Sequence, residues 1–122
     1  MIEMKNQSVE SPLNVIADNI PEDLRRKRQW VCWRNEKDGD GKSTKVPYNA
    51  KNNRRAAVNA PSTWCDFPTA YKECNLNGYM GVGFVLSKED NFVGIDLDSC
   101  RNLASGKIDE WALEIIESIK SY

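Results

Sequence analysis

The 122-residue sequence contains no histidine. Without an imidazole, these residues supply no His-based acid–base, nucleophilic or metal-binding chemistry. Four cysteines are present, Cys32, Cys65, Cys74 and Cys100, and none forms a CxxC pair. The close ligand spacing of a structural zinc site is therefore missing, and the thiols read as small buried or half-buried side chains in a reducing compartment. No apolar run approaches the ~20 residues of a membrane helix. The N-terminus has no apolar stretch of the kind that follows the basic start of a secretory signal. These absences lead us to expect a cytoplasmic protein with no membrane partner.

What is present fits one soluble globular domain: 40% of residues are apolar and 29% are charged. The net charge of −1 hides an asymmetry, since residues 20–60 hold eleven Lys and Arg against five Asp and Glu, and residues 61–122 hold five against ten. A basic first half and an acidic second half suit a polyanion-facing surface beside a metal-binding or polar one. An ordinary solvated surface with uneven sequence sampling would look the same.

Residues 1–18 are polar, with no sustained apolar period, and read as a flexible or loosely docked arm; the folded domain then spans 19–122. Pro21 with Glu22 and Asp23 predicts a short helix over about 21–28, closed by Arg25, Arg26, Lys27 and Arg28. Gln29–Arg34, aromatic and β-branched, predicts a strand. Asp-Gly occurs twice between Asn35 and Ser43, and the chain then returns as a second strand over 44–49, giving a hairpin. Pro47 confines that strand to an edge or an end. A helix is expected over Asp66–Leu76, stopped at Asn77-Gly78. Two apolar strands follow, Met80–Ser87 and Asn91–Leu97, with a tight turn at Lys88-Glu89-Asp90. Ile108, Trp111, Ala112, Ile115, Ile116 and Ile119 recur at helical spacing and mark one face of a final amphipathic helix. The order α-β-β-α-β-β-α predicts an α+β domain, an antiparallel sheet with helices packed on it.

Two features carry chemistry. In Gly94-Ile95-Asp96-Leu97-Asp98, strand alternation would turn Ile95 and Leu97 into the core and both aspartates to the other face. Two nearby carboxylates repel, and a divalent cation reverses the sign, because both become hard oxygen ligands for Mg²⁺ or Mn²⁺. Such pairs support two-metal phosphoryl transfer. The plainer reading is a strand end with a polar outer face, Asp98 capping the turn at Ser99. The second feature is basic: Lys45 and Tyr48, with Arg34 and with Arg54-Arg55, could hold a triphosphate or a template backbone, Tyr48 offering a stacking surface. A solvated hairpin edge guarded by Lys and Pro is the alternative. The four tryptophans, Trp30, Trp33, Trp64 and Trp111, read as core residues.

Taken in order, these segments resemble the N-terminal part of the primase–polymerase domain of phages and plasmids, within the archaeo-eukaryotic primase superfamily. The ordered set runs from Gln29-Trp30-Val31-Cys32-Trp33-Arg34 through Lys45-Val46-Pro47-Tyr48-Asn49, Arg55-Ala56 and Pro61-Ser62-Thr63-Trp64. It continues with Gly78–Leu86 and Phe92-Val93-Gly94-Ile95-Asp96-Leu97-Asp98, and closes with the helix from Ile108. The resemblance implies a partial primase-type catalytic core, with Asp96 and Asp98 as catalytic metal ligands of a two-metal Mg²⁺ or Mn²⁺ site and Lys45 near the bound nucleotide. It implies nucleoside triphosphates and a DNA template and primer as partners, and a fused or separate helicase. The family's later Ser-x-His and third acidic motifs are absent from these 122 residues, so the chain is expected to be a fragment that is inactive alone. Two other readings compete: a non-catalytic module binding nucleic acid or a replication partner through the basic span from Arg25 to Arg55, and a partner-recognition domain that binds no nucleic acid.

Overall fold

Asp38-Gly39-Asp40-Gly41 organises the centre of the fold. The Asp38 carboxylate accepts the backbone amides of Asp40 and Lys42, each at 2.9 Å, and Gly41 takes φ +77°, a conformation that costs glycine little. This compact turn joins β2, Trp30–Lys37, to β3, Ser43–Asn49. The strands pair antiparallel from Cys32 opposite Tyr48 to Lys37 opposite Ser43. The hairpin is thus longer, and its loop shorter, than the sequence predicts.

The computed structural model describes residues 2–4 and 14–120. Its sheet is antiparallel throughout and five-stranded, in the order β1-β5-β2-β3-β4, with β1 at Ile2–Met4, β4 at Arg54–Arg55 and β5 at Gly81–Phe84. Helix α1 covers Glu22–Arg25, shorter than the predicted 21–28. Helix α2, Phe67–Leu76, begins where expected: Asp66 is its N-cap and accepts the Thr69 amide at 2.9 Å. The architecture is α+β, as read from the sequence.

The core lies between the sheet and α2. Trp30 is fully buried, its ring 5.0 Å from Phe67 and 5.2 Å from Phe84 in edge-to-face packing, and its indole Nε1–H donates to the Leu24 carbonyl. Such aromatic pairs add roughly 0.5–1.5 kcal/mol beyond the area they bury. Cys32, Cys65 and Cys74 are buried free thiols, and Cys100 is half-buried. Trp33 and Trp64 are buried as well; Trp111 is 47% exposed and departs from the core reading.

Several predictions made for the polypeptide's ends differ from the structure. Within the predicted arm, Ile2–Met4 is a strand and Val15 is buried beside a 3-10 turn at Ala17–Asn19; residue 1 and residues 5–13 lie outside the described residues. The predicted strand over 91–97 is absent. A hairpin after β5 would need β5's free edge, and that edge is hydrogen-bonded to β1, while β2 occupies the other. Met80–Ser87 contracts to the four residues of β5.

The chain divides into two compact units, Met1–Phe92 and Val93–Tyr122. In the second, Asn102 starts a tight turn whose Oδ1 accepts the amides of Ala104 and Ser105, and Arg101 bridges antiparallel to Ile108. Helix α3, Glu110–Ile119, follows. Its amphipathic period is as predicted, yet Ala112 is buried while Ile116 and Ile119 are exposed, and Ile108 lies before the helix and is also exposed.

Candidate functional site

Strand register sorts the basic residues named above onto two faces. Side chains directly opposite in an antiparallel pair share a face. The pairs Cys32–Tyr48, Arg34–Val46, Glu36–Thr44 and Tyr48–Arg55 put Arg34, Glu36, Tyr48 and Arg55 together. The pairs Asn35–Lys45 and Asn49–Arg54 put Lys45 and Arg54 on the other face. The sequence reading treated the five basic and aromatic residues as one site, and the structure separates them into two sets.

The first set is a bonded cluster. The Arg34 guanidinium lies 4.3 Å from the centroid of the buried Tyr48 ring, and its Nη2 donates to the Tyr48 hydroxyl at 2.9 Å. That hydroxyl donates to Glu36 Oε2. Glu36 Oε1 accepts from Arg55 Nη2 at 3.1 Å, and Arg34 Nε stands 3.6 Å from Oε2. The Tyr48 hydrogen bond, followed by the charges of Arg55 and Arg34, holds the Glu36 carboxyl below the usual carboxylate range. Tyr48 also packs against Tyr79, centroids 5.6 Å apart, and the Tyr79 hydroxyl donates to Asn53 Oδ1 at 2.6 Å. Burial raises the Tyr79 phenol above its ordinary value.

Two cations around one half-buried carboxylate leave a net positive cluster whose arginine ends are exposed. Exposed pairs of this kind contribute about 0–1 kcal/mol each, so an incoming phosphate can displace them at small cost. Tyr48 is buried beneath Arg34, so it braces the cluster and its ring is not open for base stacking. Glu36 was passed over in the sequence. The signal was its i, i+2 spacing from Arg34, hidden because the strand was expected to end at Arg34.

On the opposite face, Lys45 is half-buried, its Nζ 5.2 Å from the Trp33 ring centroid. Arg54 is exposed, and its backbone amide donates to Asn52 Oδ1.

Asp96 and Asp98 belong to the second unit, and both are exposed. They do not lie on a strand, so pleat alternation does not align them; Ile95, expected in the core, is 55% exposed. The Ser99 amide donates to Asp98 Oδ1 at 2.9 Å, with Ser99 at φ +53°. This is the turn-capping role weighed in the sequence. Asp96 is left as an exposed carboxylate two residues away. Two carboxylates suit a hard cation such as Mg²⁺ or Mn²⁺, and among the described residues no group of three or more His, Cys, Asp or Glu side chains could hold a metal. The donor chemistry fits, as a partial ligand set.

No helix among the described residues is long and apolar enough to cross a membrane. No protein-family model matches the chain. Over 99 residues, 81% of its length, the chain is 40% identical to a DNA primase-polymerase of Nitratiruptor phage NrS-1. The match covers 13% of that protein's length. At this identity over most of its residues, the chain is similar to one segment of a phage DNA primase–polymerase.

Proposed function

We propose that the chain forms part of a primase-type catalytic core that carries out metal-dependent nucleotidyl transfer in phage or plasmid DNA replication. The observation that carries this reading is the 40% identity to the phage DNA primase-polymerase. Asp96 and Asp98 would ligate Mg²⁺ or Mn²⁺, which supplies charge neutralisation and activation of the attacking oxygen in phosphoryl transfer. Arg34 and Arg55, pre-positioned by Glu36 and Tyr48, would hold phosphate oxygens of a nucleotide or of the template and primer DNA. Lys45 and Arg54 would contact backbone phosphate from the other face. A helicase, fused or separate, would supply unwound template.

The two aspartates would be a partial ligand set, so the chain alone would bind metal weakly and would not polymerise; the alternative is a non-catalytic module that binds nucleic acid or a replication partner. A chimaera tests the reading. The matched segment of the phage relative is replaced by the corresponding residues of this chain, and primer extension is measured with Mg²⁺ or Mn²⁺. Extension by the chimaera, reduced to background by Asp96→Ala with Asp98→Ala, is the expected result. Extension that survives the double substitution would remove both aspartates from the catalytic assignment.

A further inference from the structure

The first unit contains an open cleft of about 480 Å³, lined by Asp23, Arg26, Lys27, Asn91 and Phe92. It uses none of Arg34, Lys45, Tyr48, Arg54, Arg55, Asp96 and Asp98, while Arg26 and Lys27 fall within the basic span that begins at Arg25. Its two walls come from distant parts of the sequence, and Gln29 ties them together. The Gln29 side-chain amide donates to the Val85 carbonyl at 2.8 Å and to Asp90 Oδ2 at 2.7 Å, while the Val85 amide donates back to the Gln29 carbonyl. Asp90 Oδ2 also accepts the Ser87 amide, closing the turn that precedes Asn91 and Phe92. Phe92 is seated on the core, its ring 5.9 Å from Phe84 with the planes at 89°, and it keeps part of its surface open.

The chemistry of the lining is mixed in a specific way. Lys27 Nζ stands 6.0 Å from the Phe92 ring centroid and forms no ion pair among the described residues. Among the described residues Arg26 is paired only with Glu22, at 2.8 Å, both ends well exposed, and is open to exchange. Arg25 and Arg28 flank them in an unbroken cationic run. An aromatic ring beside cations gives a stacking platform with a backbone-binding rim, the arrangement that holds single strands without reading their sequence. The Asn91 amide and the Asp23 carboxylate add hydrogen-bonding groups at the same cleft.

We propose that this cleft binds single-stranded DNA, one unpaired base stacking on Phe92 and adjacent phosphates engaging Lys27 and Arg26. The site deepens the replication reading but stands on residues of the first unit alone.

The test is fluorescence anisotropy of the full 122-residue chain with a short labelled single-stranded oligodeoxynucleotide at two salt concentrations. Binding should be strongest at low salt. Phe92→Leu, which keeps an apolar side chain on the core, should weaken it roughly fivefold to a hundredfold, the range for losing one base–aromatic stack. Lys27→Gln should weaken it for all sequences and reduce the salt slope by roughly 0.7. Phe92→Trp should retain affinity, with its added fluorescence quenched by the oligonucleotide. Wild-type affinity in both Phe92→Leu and Lys27→Gln would overturn the proposal. So would absence of binding at low salt, equal affinity for duplex DNA, or equal competition by a free nucleoside triphosphate. Because Asp96 and Asp98 are intact in every variant, this site and the nucleotidyl-transfer reading can fail independently.

Discussion

The sheet unit and the segment that carries the aspartate pair treat their apolar side chains in opposite ways. In Met1–Phe92, Trp30, Val31, Trp33, Val82 and Phe84 are essentially inaccessible to solvent. In Val93–Tyr122, Val93 is 84% exposed and Leu103 97%, and Ala112 is the buried residue of α3. The first region secures its geometry by its own packing, which is why the Arg34–Glu36–Tyr48–Arg55 cluster is so fully bonded. The second holds Asp98 through one local backbone contact. A pair of carboxylates gains little from such a setting unless a cation or further protein groups complete it.

The contrast can be broken most directly at the core. Trp30→Ala should cost about 3–5 kcal/mol, a large share of the stability of a domain this size, measured as a shift in urea midpoint. If Trp30→Ala were nearly silent, the description of a tightly packed first unit would be wrong.

Thiol reactivity gives the next largest effect. Burial pushes Cys65 and Cys74 up to about 11, and raises Cys32 further, mainly by desolvation. An ordinary thiol ionises near 8.5, so at mildly alkaline pH the thiolate fraction of Cys65 and Cys74 is lower by roughly two orders of magnitude. Cys100, half-buried in the second unit, should label first, and the other three should react only on unfolding. Mass-spectrometric time courses would show a single early adduct; four adducts appearing together would erase the distinction between the units.

A smaller effect is expected at Asp66. The hydrogen bonds from Thr69 hold its carboxyl below the usual value. A depressed folded-state pKa contributes stability above the unfolded value and loses it as pH falls through the folded one. Asp66→Ala should therefore cost about 1 kcal/mol near neutrality, and the difference from wild type should shrink below about pH 4. Urea titrations at the two pH values measure it. The smallest effect is Leu103→Ala, within about 0.5 kcal/mol because the side chain is almost fully solvated. A larger loss there would show that the second unit packs more of itself than its exposure indicates.

Much of the fold was legible before any coordinates. Trp30–Arg34, Asp38-Gly39-Asp40-Gly41 and Asp66 announce a strand, a turn and a helix start through local chemistry, and all three stand. The site was legible as residue types and only partly as geometry. Arg34, Tyr48 and Arg55 do meet, but Lys45 and Arg54 fall on the other face, because a side chain's face depends on which residue stands opposite it. The error at Asn91–Leu97 has the same origin. Apolar β-formers predict a strand, and strand formation also requires a free edge, which Ile2–Met4 occupies.

By itself, then, the sequence determined the elements set by near neighbours. It also carried the resemblance: an ordered set of segments points to primase–polymerases, and the 40% identity to the phage protein agrees. Only the tertiary structure decided which strand takes β5's edge, that Glu36 bridges Arg34 and Arg55, and that Gln29 brings Phe92 beside Lys27. These are pairings between residues far apart in the chain. Their free energies depend on competition for a limited number of edges and buried places, which no local pattern records.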